Sequence, residues 1–146
     1  MTSKLRIVAA QPVANSRSLI LDWNNGKRHT VDLSAYIDQF EALAPLKDKT
    51  LFSHVTVGDW GFDVAWGDIE LAASTLHRLA LEQAGEVMPT RDFKQWMAKN
   101  NLSLSAAALE LGFTRRTITA YSSGAALIPK HVALACRGWE YEHSPR

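Results

Sequence analysis

Apolar and polar residues alternate in short runs through the first half of the chain. Residues 4–10, 18–23 and 27–33 each carry this two-residue period. Such a period puts one face of a strand in a core and the other in water. Between the second and third runs stands Asn24-Asn25-Gly26, and Asn-Gly is the strongest short hairpin signal because both residues tolerate positive φ. The spacing then changes. Leu33, Tyr36, Ile37 and Phe40 recur at helical intervals over residues 34–43, with Ser34 placed to cap the helix and Pro45 to end it. Residues 52–57 and 62–66 alternate again around Gly58-Asp59-Trp60-Gly61, which predicts a second hairpin. Trp23, Trp60 and Trp66 are expected to fill a core between the small sheet and a helix. Leu71, Thr75, Leu76, Leu79 and Gln83 predict a helix over residues 71–84, and Gly85 is placed to stop it.

Beyond Gly85 no strand pattern is read. Four helices are predicted near residues 90–100, 103–111, 114–123 and 129–139. Thr90, Ser103 and Thr114 stand where N-caps are wanted, and Gly112 and Gly124 where C-caps are wanted. Pro129 suits the first turn of the last helix. The domain boundary is placed in the stretch 85–89. The fold class expected is α+β. A small β-rich domain of about five strands, with one or two helices, covers 1–85. An all-α domain covers 86–146.

Composition narrows the function classes. The apolar fraction of 47% is that of a folded globular chain. No run approaches the roughly 18 apolar residues that a membrane helix needs. Residues 1–10 lack the uninterrupted apolar core of a signal peptide, so a cytoplasmic address with no membrane partner is expected. Cys136 is the single cysteine, so it cannot pair within the chain or build a zinc site, and its apolar neighbours suggest a buried thiol. The net charge of +1 hides an asymmetry. Residues 1–85 carry eight basic and ten acidic side chains, whereas residues 86–146 carry eight and five. A mildly basic second half favours polyanion binding.

The stretch 104–121 carries the functional reading. Two short helices meet at a sharp turn, where Gly112 supplies the positive φ. Ala108, four residues earlier, is small enough for the helices to cross closely. Ile118, six residues later, returns an apolar side chain to the core. Leu104, Ala107 and Leu111 complete the inner face of the first helix, and Tyr121 joins Ile118 on the second. With the preceding helix (Phe93, Trp96 and Met97 inward) and the closing run 128–137, this segment resembles the lambda-repressor/Cro-like helix-turn-helix family over roughly residues 86–139. The resemblance implies a recognition helix over residues 114–123 lying in the major groove of double-stranded DNA. Arg115 and Arg116 would then contact base edges, since a guanidinium fork can donate twice to guanine. Thr114 and Thr119 would join them. Ser103, Thr117, Ser123 and Lys130 would contact phosphates. The family often opens the first motif helix with a polar residue, and here it is Leu104. The resemblance also implies a transcriptional regulator working as a homodimer, without metal or cofactor.

The run 19–26, the segment Val31-Asp32-Leu33-Ser34 and the hairpin at 52–66 resemble a small β-rich domain of unknown function found in many bacterial proteins. That resemblance implies a fold, and a dimerisation or partner-sensing role by analogy. His54, Asp59, Asp63 and Asp68 fall close together, but no pair has zinc-type spacing, and turn and strand roles account for them. His77 reads as a partly exposed surface histidine. No phosphate loop or nucleophile elbow is found, so no enzyme is expected. A rival expectation is an antitoxin-like protein-interaction module using the same helical fold without DNA.

Overall fold

Leu19, Leu21 and Trp23 occupy alternate positions of strand β2 (Ser18–Trp23), and all three are buried. They come from a computed structural model that describes residues 4–144. β2 is the middle strand of an antiparallel sheet with β1 (Ile7–Pro12) and β3 (Arg28–Asp32). Its register with β3 sets Ser18 opposite Asp32 and Asp22 opposite Arg28. Arg28 Nε lies 2.6 Å from Asp22 Oδ1, and the hydrogen bond from the guanidinium holds that carboxyl below its usual range. The chain divides into two compact units, Met1–Ala80 and Leu81–Arg146. Strands concentrate in the first and helices in the second.

Several details of the first unit differ from the pattern reading. Helix α1 (Ser34–Gln39) stops before Pro45, because Phe40 takes extended backbone at φ −119° and ψ 121°. Pro45 lies inside a 3-10 helix, Glu41–Lys47. Ser34 does not cap α1. Instead the Ser34 N–H donates to Asp32 Oδ1 at 2.9 Å, and that backbone hydrogen bond lowers the pKa of Asp32. The expected strand over 52–57 begins only at Thr56. Asp48 accepts from the Thr50 N–H at 2.9 Å and starts a short helix, α2 (Lys49–Phe52), which takes Phe52, the first residue of the expected strand. A second antiparallel sheet runs β4 (Thr56–Val57), β5 (Asp63–Trp66) and β6 (Ile69–Ala72). β6 takes the residues read as the start of a helix, and α3 begins later, at Ala73–Gln83. The described residues of this half therefore hold six strands, and more helical segments than the one or two expected.

The core of this unit is aromatic at its centre. Trp66 donates its indole Nε1–H to the Phe52 carbonyl at 2.7 Å, and the two rings stack at 5.4 Å. Trp23 donates to His29 Nδ1 at 2.9 Å, which fixes the proton of a neutral His29 on Nε2. His77 is half-buried, edge-on to Trp23 at 5.2 Å. Trp60 does not belong to the core. It is 76% exposed, because it rides the turn between Gly58 and Gly61 instead of a strand face. Gly61 is held there at φ +76°, and a Cβ built on it would lie 2.5 Å from the Ile7 carbonyl oxygen. Ile7 N–H in turn donates to the Gly61 carbonyl at 2.8 Å. Gly61→Ala is therefore expected to destabilise this unit by more than about 2 kcal/mol, from left-handed strain and backbone overlap together. Urea unfolding would show it; a loss below about 0.5 kcal/mol would mean that the turn is free to shift.

In the second unit, α4 (Thr90–Lys99) buries Phe93, Trp96 and Met97. α5 (Leu104–Leu111), α6 (Arg115–Ser123) and α7 (Lys130–His143) pack Ala107, Ala108, Ile118, Tyr121, Val132 and Cys136 against them. This half is not wholly helical. β7 (Val87–Met88) pairs with β8 (Ile128–Pro129) in a two-residue antiparallel ribbon, too short to leave a period in the sequence. Thr90 is not the cap expected of it: the N-cap position is Pro89, with no side-chain hydrogen bond.

Cys136 is 2% exposed, and burial pushes its thiol up to about 11 from an ordinary value of 9.0. The unfolded chain thus releases this proton first as pH rises. Stability from the neutral thiol is complete below the unfolded value and declines from about pH 9 towards 11. Native protein at neutral pH is expected to react with a disulfide reagent only at its opening rate. Rapid reaction of the folded protein would contradict the burial.

Candidate nucleic-acid interface

Small side chains bring α5 and α6 together. Ala107 and Ala108 are 0% and 5% exposed, which leaves no bulk at the crossing. The turn between the helices is set by Gly112, at φ 77° and ψ 27°. Its N–H and that of Phe113 both turn back to the Ala108 carbonyl. A residue with a Cβ would strain here although nothing crowds the site, so backbone conformation alone selects glycine. Ile118 is fully buried, and Tyr121 meets Phe93 edge-on at 5.9 Å and Phe113 at 6.0 Å. These contacts fix the inner face of α6 and so the direction of its outer face.

That outer face begins with Arg115 and Arg116, both exposed. Among the described residues, neither has an ion-pair partner. The first turn of α6 contains no acidic residue, so two cations sit at the positive end of the helix dipole. Between Leu111 and Pro129 the sequence contains no Asp or Glu. The nearest acid, Glu110 on α5, is engaged by Trp139 Nε1–H at 2.9 Å.

The hydroxyl residues have local tasks. Ser103 caps α5 by accepting from the Ala106 N–H at 3.0 Å. Thr114 caps α6 by accepting from the Thr117 N–H at 3.2 Å, and the two hydroxyls lie 3.0 Å apart. Thr119 is exposed and donates to the Arg115 carbonyl at 2.9 Å, leaving its methyl and acceptor lone pairs outward. Ser123 donates to the Ala120 carbonyl at 3.3 Å. Lys130 is exposed at the start of α7, away from the α6 sequence. Of the eight side chains singled out from sequence, Arg115, Arg116 and Lys130 thus keep their charged heads uncommitted. Arg137, exposed on α7, was passed over because an isolated basic residue on a helix leaves no motif. No group of three metal-ligating side chains occurs among the described residues, His54, Asp59 and Asp63 included. No helix among them is long and apolar enough to cross a membrane.

A family model described as "Protein of unknown function (DUF2442)" matches residues 7–82, just over half of the chain. The chain belongs to this family. The six strands, α1, the 3-10 helix, α2 and nearly all of α3 fall within the DUF2442 match, which supplies the family that the β-rich resemblance read from residues 19–66 left unnamed. The other resemblance needs correction. No family model of the lambda-repressor/Cro-like or other helix-turn-helix class matches, and residues 83–146 lie outside the DUF2442 match. The Ala108–Gly112–Ile118 spacing meets demands common to any two short helices crossing closely at a glycine, so it does not by itself mark membership. No curated protein matches the chain. Among solved structures, the chain is similar to a protein of Nitrosomonas europaea named "Putative DNA Binding Protein". The two are 33% identical, with 96% of this chain and 90% of the other covered, at a TM-score of 0.58.

Proposed function

We propose that this DUF2442 chain binds double-stranded DNA through its second unit and acts as a sequence-specific regulator of transcription. The observation that carries this reading is the outer face of α6. Two arginines with no ion-pair partner among the described residues stand together at the exposed start of a helix capped at both ends, on a stretch without a carboxylate. The name of the Nitrosomonas europaea protein supports it. In this reading residues 114–123 lie in the major groove. Arg115 and Arg116 donate to guanine edges, and Thr119 offers its methyl and lone pairs to a neighbouring base. Thr114 and Thr117 reach the duplex through the rims of their capping groups. Ser103, Ser123 and Lys130 steady the flanking phosphates. The role is binding, without catalysis, metal or cofactor.

Two arginines give one unit modest affinity, so a homodimer on paired half-sites about one helical turn apart completes the proposal. Selection from a random duplex library tests it. The expected result is enrichment of a short, guanine-containing motif repeated with two-fold symmetry. An unenriched library would remove sequence specificity. A second reading has its own observation: Leu109 on α5 is 82% exposed, and Leu134 and Tyr141 on α7 are 52% and 84% exposed. Exposed apolar residues of that size suit a protein partner of the antitoxin-neutralised kind. A nuclease-free pull-down that recovers a stoichiometric protein while DNA selection fails would favour it.

A further inference from the structure

The second unit contains a cleft of about 970 Å³, and Lys130 is the one lining residue that the DNA-binding reading uses. One wall is apolar, made by Met88, Trp96, Ala133 and Cys136. The other feature of the cleft is the state of its polar groups. Three carboxylates border it, and each is already engaged. Glu140 Oε2 lies 3.6 Å from Lys99 Nζ, and its other oxygen receives the Asn100 amide at 3.3 Å. Asp92 lies 3.9 Å from Arg91 Nε, and Glu82 is also partnered. Two cations, Lys130 and Arg137, line the same cleft and have no ion-pair partner among the described residues. They are seven residues apart on α7, hence on one face, about 10 Å apart along the axis. Trp96 adds a third donor. It is 4% exposed, and its Nε1–H is buried with no hydrogen-bond partner among the described residues. An orphaned indole donor costs stability that an incoming acceptor would restore.

Among the described residues the uncommitted charged groups of the cleft are therefore both cations, beside the buried Trp96 donor and the neutral Gln95 amide. We propose that this cleft binds a small amphipathic anion, an aliphatic or aromatic carboxylate. Its hydrocarbon part lies along Met88, Trp96 and Ala133. Its carboxylate is held by Arg137, whose planar fork matches the two oxygens, within the field of Lys130. Charge decides against a neutral apolar ligand, which would leave both cations unanswered. It decides against a cation, because the acids are already paired. No residue of α6 lines the site, which shares only Lys130 with the DNA-binding reading, so it stands whether or not α6 binds DNA.

The full-length chain would be titrated with 1-anilinonaphthalene-8-sulfonate, an apolar aromatic anion whose fluorescence rises in such a site. The uncharged N-phenyl-1-naphthylamine would be titrated in parallel. One anilinonaphthalenesulfonate per chain is expected, displaced by octanoate but not by octanol. Arg137→Gln is expected to weaken the anion about tenfold and Lys130→Gln severalfold, with unchanged circular dichroism, since both side chains are exposed. Ala133→Phe, which fills the wall, should abolish binding while Arg115→Ala leaves it intact. The proposal fails if the neutral probe binds as tightly as the anionic one. It fails equally if octanol competes like octanoate, or if Arg137→Gln leaves the anion's affinity unchanged.

Discussion

Phe93→Ala is expected to lower the stability of the second unit by about 3–5 kcal/mol. The ring is 0% exposed and lies 5.8 Å from Trp96 on its own helix and 5.9 Å from Tyr121 on α6. Tyr121 is held on its other side by Phe113, at the turn between α5 and α6. Removing the Phe93 ring therefore opens a cavity at the point where α4 supports the inner face of α6. Helices this short do not hold their shape without such packing. A loss of that size is a large part of the roughly 5–15 kcal/mol available to a whole domain. Leu109→Ala is the matched control. Leu109 is 82% exposed and should change stability by less than about 0.5 kcal/mol. Urea unfolding of both variants separates the outcomes. A Phe93→Ala loss below about 1 kcal/mol would mean that this aromatic cluster does not organise the unit.

The second large effect is on binding. Each arginine in a two-point contact with guanine contributes roughly 1–3 kcal/mol of discrimination. Arg115→Ala/Arg116→Ala is therefore expected to reduce DNA affinity by at least about 30-fold. The same double variant should be as stable as the parent or slightly more so. Both cations sit at the positive end of α6 with no acidic residue in its first turn, an arrangement that costs each about 0.3–1 kcal/mol. Side chains that weaken their own helix yet are needed for binding are the pattern expected of a functional pair. If the double variant is markedly less stable, the arginines have a structural task, and loss of binding would say nothing about contact.

Much of this architecture can be read from the residues, for identifiable reasons. Ser103, Thr114, Gly112 and Gly124 mark helix ends because caps depend on local chemistry, and each stands where the sequence places it. Leu19, Leu21 and Trp23 betray β2 because one face of the strand is fully buried. The failures have causes too. Asp48 starts α2 just ahead of the run 52–57 read as a strand, and the helix carries through Phe52, so a side-chain cap outweighed a weak period at that end. The ribbon of β7 and β8 joins two residues to two others some forty positions away, and such pairing has no local signature. Trp60 looked like core by residue type, yet the two glycines around it form a turn that turns the ring out. For the interface, the arginines were visible because their value lies in exposure and position. The capping tasks of Ser103, Thr114 and Ser123 were partly visible, while the commitment of the Thr119 hydroxyl to the Arg115 carbonyl needed the helix itself. Family membership was beyond local reasoning in the second half, since compact helices joined by a glycine arise from packing demands alone.

The most direct test of the central claim is fluorescence anisotropy of a labelled random duplex, titrated with the chain from low to physiological salt. The parent is expected to bind, with log K falling linearly against log salt at about 0.9 for each phosphate neutralised. Arg115→Ala/Arg116→Ala should bind far more weakly, with a shallower slope. Absence of salt-dependent binding by the parent at tens of micromolar, or equal binding by the folded double variant, would contradict the assignment of α6 to DNA.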